Sequence, residues 1–254
     1  MRVHPVRAAG AARQGSKCAR TAVALRDLSD DRGWPRIVPS MSFIATISPR
    51  STGKSTITAW LLHALHERGY PVVGFDADES EQLYRWWEAR PVGSYPFEVH
   101  KEASTRFHVE APKKLPEGHI GAVDCGHLEN HAGIGWSVLR VADLAIVACS
   151  ATNSDVERMD ELPMDFFINQ VVPKRADKAK PKTWVLLCRV QPSSVVAPKG
   201  IRKTLVEDDW NVFTTEIPAI QKYASTAEGV PIHAAGSHFD ELVTEMEQRG
   251  LIKK

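Results

Sequence analysis

Beyond residue 41 the chain alternates short, unbroken apolar runs with stretches of helical periodicity. The runs are Phe43–Ile47, Val72–Phe75, His119–Val123, Leu144–Ala148 and Trp184–Cys188. A strand with one wet face would alternate apolar and polar residues, so these read as strands buried on both faces. Shorter strands are expected over Phe97–Val99 and Asn211–Glu216. Helices are expected over Lys54–Arg68, closed by Gly69 as a C-cap, over Glu79–Ala89, Asp155–Gln170 and Ala197–Glu207, and at the amphipathic His238–Gln248. Strands that alternate with helices build a mostly parallel, twisted sheet with helices on both faces. The expected fold class is therefore α/β. Such sheets bind ligands beyond the carboxyl ends of their strands.

Three polar groups stand at such ends. Gly53-Lys54-Ser55-Thr56 follows the first strand and opens the first helix. That is the context of a phosphate-binding loop, in which backbone N–H groups at a helix N-terminus cradle anionic oxygens. Here the lysine faces the β- and γ-phosphates and the Ser55 hydroxyl ligates Mg²⁺. The full pattern wants a glycine where Ser48 stands. Asp76 and Asp78 end the second strand, 22 residues beyond Lys54. Two carboxylates there can orient a nucleophilic water, and one of them can equally cap the next helix. Asp124 ends a later strand and resembles a Walker B aspartate.

Together these residues resemble the ParA/MinD group of P-loop ATPases with a deviant Walker A loop, and ParA-type partition proteins most closely. The resemblance covers almost all of 41–250. It runs through SPRSTGKST, VVGFDADES, AVDCGHLEN, WVLLCRVQPSS and the Ile217-Pro218 loop. It implies a P-loop NTPase fold, slow ATP hydrolysis, and ATP with Mg²⁺ as cofactors. Lys54 would bind phosphate, with Ser51, Thr52, Gly53, Ser55 and Thr56 around it. Ser55 and Asp124 would support Mg²⁺, and Asp78, with Asp76 beside it, would position the attacking water. Arg189 and Pro218 would lie near the adenine. The family's KGGxGK[ST] loop carries a first lysine that reaches across an ATP-sandwiched dimer. An ungapped match, the less disruptive one, puts Pro49 at that lysine, with Arg50 and Ser51 replacing the two glycines. A one-residue deletion would put Arg50 there. Arg50 is thus a candidate trans cation, in the manner of an arginine finger.

The resemblance also implies partners: an ATP-dependent homodimer, nonspecific DNA and a ParB-like activator. Lys174, Arg175, Lys178, Lys180 and Lys182 form a basic run, and Lys199, Arg202 and Lys203 lie on one expected helix. Such charges suit phosphate contacts without base reading. The C-terminal helix is too acidic for a membrane-surface anchor. No window approaches an apolar span of about eighteen residues, and no signal-type apolar segment precedes residue 41. The four scattered cysteines make no CxxC pair. A cytoplasmic, nucleoid-associated protein is expected.

Residues 1–40 carry eight basic and three acidic side chains, hence +5, whereas 41–254 hold 24 basic and 28 acidic, hence −4. The first stretch reads as a basic, disordered extension to a single domain over 41–254. His63 and His66 read as an exposed helical face, His127 and His131 as polar loop residues, and Trp86 and Trp87 as packing residues. Two other readings compete with the partition ATPase. One is an ATP-gated DNA-binding switch that hydrolyses weakly or not at all because of its altered loop. The other is a small-molecule ligase or kinase of the same fold group, for which no substrate motif stands out.

Overall fold

The computed structural model describes residues 43–253 apart from 92–93, 130, 153, 158–167 and 194–195. The expected extension 1–40 lies outside the described residues. So does the middle of the expected Asp155–Gln170 helix, of which the described parts 154–157 and 168–169 are helical.

Six strands form one sheet: β1 (Phe43–Ile47), β2 (Val72–Ala77), β3 (Val99–Lys101), β4 (Ile120–Cys125), β5 (Leu144–Ser150) and β6 (Lys182–Cys188). Their order is β3-β2-β4-β1-β5-β6, and every neighbouring pair is parallel. β1, β2, β4 and β5 are buried at every position, as their unbroken apolar runs require. The strand expected at Asn211–Glu216 is not formed; a single bridge joins Val212 to Val185. The reason lies just beyond it, where the N–H groups of Thr214 and Thr215 donate to the Glu245 carboxylate instead of to a strand.

The helices are α1 (Lys54–Glu67), α2 (Gln82–Glu88), α3 (Phe107–Lys114), α4 (Ala132–Leu139), α5 (Val196–Glu207), α6 (Gln221–Ala224) and α7 (His238–Gln248). Side chains alternate across each strand. Ile44, Ala122, Leu144 and Ile146 therefore pack with α1 and α7, while Phe43, Ala45, Val73, Phe75 and Val147 pack with α3, α4 and α5. The sheet is covered on both faces, as expected. His63 overturns its expectation. It is buried between the rings of Tyr95 and Phe97, and burial, aided by Arg90, depresses its pKa to about 3. Trp86 and Trp87 pack against the core, and the Trp87 indole donates to the Phe97 carbonyl.

Close packing fixes one glycine in β4. A Cβ on Gly121 would stand 2.7 Å from Phe43 Cδ1 and 3.1 Å from Phe75 Cε2. Phe43, Phe75 and Phe107 meet there tilted or edge to face, with centroids 5.5–5.9 Å apart. Gly121→Val is expected to destabilise the protein by about 2–3 kcal/mol, since an overfilled core must shift its rings or backbone. Urea denaturation measures this, and an unchanged midpoint would mean that the triad has room to spare.

Candidate functional site

At the carboxyl edge of the sheet, the chain leaves β1 at Ile47 and turns through 48–53 into α1. Gly53 precedes the helix with φ 92°, a left-handed conformation that glycine adopts without strain. The turn brings the free N–H groups of the first helical turn to this edge, where an anion is favoured. Lys54 opens the helix and is buried, 4% exposed. Its ammonium donates to the Arg50 carbonyl at 3.3 Å. Burial lowers its pKa, opposed by Asp124, Cys125 and Asp78 nearby.

Two further strands bring their acids to the same place. Asp76 on β2 and Asp124 on β4 are register partners, and Thr46 on β1 is paired with Asp124 from the other side. Asp124 is fully buried, and neither of its carboxylate oxygens has a hydrogen-bond partner. Burial, with Asp76 beside it, pushes its pKa up to about 8. Ser55 and Lys54 oppose that shift, and the Ser55 hydroxyl approaches without forming a well-made hydrogen bond. Asp76 differs, because Oδ1 accepts from the Asp78 N–H at 3.0 Å and Oδ2 from the Tyr84 N–H at 2.8 Å. Asp76 thus pins the turn into α2, and burial raises its pKa to about 6. Asp78 is half-buried and its Oδ1 accepts from the Ser80 N–H.

The other flank of the turn is a cavity of about 430 Å³. Thr52, Gly53 and Thr56 line it from the turn, Arg189 and Pro218 from the loops beyond β6. The sequence-expected residues of the turn and of the distant loops therefore meet around one space. Arg189 is held at φ 53°, unusual for a non-glycine residue, beside the bridge of Val190 to Pro218. The cavity floor was not legible in the sequence: Cys188, Tyr223 and Phe239 face it, and the Cys188 thiol donates to the Thr52 carbonyl at 3.3 Å. No motif marks such residues, because only the crossing of β6 under the turn makes them neighbours.

Arg175 and Arg202 are engaged elsewhere. Arg175 is buried, 4% exposed. Its guanidinium donates to the Leu139 and Ala142 carbonyls and pairs with Asp177, so it is withdrawn from the expected DNA surface. Arg202 donates to the Phe213 and Thr214 carbonyls and pairs with Glu216. Lys199 and Lys203 are exposed on α5, and Lys174 lies 6.0 Å over the Trp136 ring. Among the described residues, no helix is long and apolar enough to cross a membrane.

A parallel sheet in this order, with a phosphate-type turn between its central strand and α1, is a P-loop NTPase fold. Its fold is shared by solved MinD and plasmid-partition proteins. McdA from Cyanothece, solved with ATP, matches at a TM-score of 0.61 and 14% identity, covering 85% of this chain and 98% of that one. MinD from Aquifex aeolicus matches at 0.57 and 18%, covering 84% and 100%. A Borrelia burgdorferi protein described as a plasmid partition protein, bound to AMPPNP, matches at 0.59 and 11%, covering 83% and 98%. No family profile and no curated protein sequence matches the chain. At these identities the likeness is one of fold.

Proposed function

We propose that this chain is a ParA-type ATPase. It binds ATP with Mg²⁺, dimerises around the nucleotide, holds DNA without sequence preference, and positions a plasmid, chromosomal locus or other cargo with a ParB-like activator. Its place is the cytoplasm, on the nucleoid. One arrangement carries the reading: Lys54 and Ser55 at the N-terminus of α1, beside Asp124 with both buried oxygens unpartnered, while Thr52, Gly53 and Thr56 of the same turn line a cavity of about 430 Å³. The ATP and AMPPNP held by two proteins of the same fold support it.

The chain's own groups define the chemistry. Lys54 and the N–H groups of the turn hold the phosphates, and the cavity beside Thr56, Arg189 and Pro218 receives the base. Ser55 and Asp124 offer hard oxygen donors that suit Mg²⁺, and the unpaired buried carboxylate of Asp124 is the observation that fits it. When bound, the ion neutralises charge on the phosphates. Asp78 orients the attacking water, and Asp76 positions Asp78 by accepting its backbone N–H. Lys199 and Lys203 supply the exposed charge for DNA phosphates, with Lys174 beside Trp136 as a further contact.

The test is ATP turnover and DNA co-sedimentation of the full chain, with and without ATP. Asp78→Ala is expected to keep ATP-dependent DNA binding while losing turnover. Lys199→Glu with Lys203→Glu is expected to lose DNA binding by at least about tenfold near physiological salt and to leave ATP binding intact. A wild-type protein that binds no ATP overturns the reading. One observation favours the weakly hydrolysing switch instead: Arg50, the candidate trans cation, is tied within its own chain to Glu129. Wild-type DNA binding that follows ATP without measurable turnover would select that alternative.

A further inference from the structure

The segment that follows β4 reaches back over the phosphate-type turn. Glu129 Oε2 pairs with Arg50 Nε at 2.7 Å. His127 Nε2 meets the Ser51 hydroxyl at 2.9 Å. The Leu128 N–H donates to the Ser48 carbonyl at 3.4 Å, and the Leu128 side chain is buried between these two ties. Arg50 and Ser51 are the residues that stand where a glycine-lined loop would leave open backbone. Both are therefore held by one short stretch of the same chain.

Arg50 borders the proposed phosphate seat, since its carbonyl accepts the Lys54 ammonium at 3.3 Å. Its side chain is 57% exposed, and that of Glu129 28%. An exposed ion pair of this kind is weakly held. A phosphate offers the same fork of oxygens as a carboxylate with more negative charge, and guanidinium binds it well. Glu129 holds the Arg50 guanidinium in the nucleotide-free chain, and a terminal phosphate on the proposed seat would offer it a competing anion. A diphosphate leaves the outer position empty, and Arg50 then keeps its carboxylate.

Resting on the ATP-binding reading above, we propose that Arg50 reads the terminal phosphate in cis and that Glu129 is its competing ligand. The pair then sets the preference of the site for triphosphate over diphosphate. Filling the site with triphosphate frees the 127–129 segment from Arg50, which places the signal beside Asp124 on β4.

Calorimetric titration of the full chain with ATP and with ADP, each with Mg²⁺, tests this on wild type, Glu129→Gln, Arg50→Gln and the double variant. Thermal melts establish that each is folded. Glu129→Gln is expected to tighten ATP roughly three- to fivefold, the worth of one exposed pair, and to leave ADP unchanged. Arg50→Gln weakens ATP by a similar factor, and the double variant matches Arg50→Gln. The proposal is overturned if Glu129→Gln leaves ATP affinity alone, shifts ATP and ADP equally, or still tightens ATP without Arg50. It is also overturned if the Arg50 effect grows with protein concentration, which would mark a contact across a dimer. A wild type that binds neither nucleotide refutes the ATP reading, and this proposal falls with it. A wild type that binds ATP but shows none of these shifts refutes the proposal alone.

Discussion

Replacing Asp124 with asparagine is expected to flatten the pH dependence of the nucleotide-free protein's stability and to remove the gain that Mg²⁺ adds to ATP. Asp124 sits fully buried without a hydrogen bond, and burial beside Asp76 lifts its pKa to about 8. In the unfolded chain it titrates near 4. Between those values the folded protein holds a proton that the unfolded chain has lost. Stability is then fully present below about pH 4 and falls as pH rises toward 8. The loss is on the order of a few kcal/mol. Asparagine cannot ionise, so the slope above about pH 6 should nearly vanish. The part due to Asp76, raised to about 6, remains at lower pH. Urea unfolding between about pH 5 and 8 measures both variants. A wild-type slope retained in Asp124→Asn would show that the carboxylate is not the buried acid described here. Thermal melts with ATP, with and without Mg²⁺, give the second half: ligand that binds the folded state raises its stability, and the Mg²⁺-dependent share should be lost.

The sheet was legible because burial on both faces leaves a plain trace. β1, β2, β4, β5 and β6 fall on or within two residues of the apolar runs. The His238–Gln248 helix matches its expected bounds, since its apolar stripe at Phe239, Leu242, Val243 and Met246 is complete and Ser237 caps it. α3 and α4 left no such trace. α3 buries only Phe107 and Ala111 and carries Pro112, and α4 contains two glycines, so neither shows a clear period. Strand Asn211–Glu216 was misread because Val212, Phe213, Thr214 and Thr215 are all good strand formers, yet a carboxylate from α7 captures the N–H groups of Thr214 and Thr215. His63 was misread for a related reason. Its spacing to His66 is visible, but the Tyr95 and Phe97 rings that bury it come from a loop far along the chain.

The site divides in the same way. That Lys54, Ser55, Asp76, Asp78 and Asp124 would lie together was legible, because strand ends in a parallel sheet meet along one edge. Their division of labour was not. Which aspartate is bonded by backbone N–H groups and which is left unpaired depends on the turn into α2. The basic residues show the limit most clearly. Arg175 and Lys174 are neighbours in sequence, but one guanidinium is buried against the carbonyls of Leu139 and Ala142 while the other charge stays exposed. Charge counts carry no such distinction.

Lys54→Ala is expected to weaken ATP binding by at least about a hundredfold while leaving the nucleotide-free protein as stable as wild type or more so. Two effects of opposite sign meet at this side chain. Without nucleotide its ammonium is buried and donates to the Arg50 carbonyl at 3.3 Å, and burial lowers its pKa. Holding a cation there costs free energy, and removing it relieves that cost. With nucleotide present, the same cation faces phosphate at a dry helix N-terminus, where a charge-assisted hydrogen bond is strong. A hundredfold loss corresponds to about 2.8 kcal/mol. The control that gives the experiment its force is Mg²⁺. Lys54 acts on the phosphates directly, so its loss should weaken ATP with or without the ion. Asp124→Asn should weaken ATP only when Mg²⁺ is present. Titrating both variants under both conditions gives four affinities, and the two residues are separable only if the losses fall in that crossed pattern. Equal losses under all conditions would mean that either change simply distorts the turn. ATP affinity unchanged in Lys54→Ala would mean that this loop, with Arg50 and Ser51 in place of glycines, binds no phosphate through its lysine.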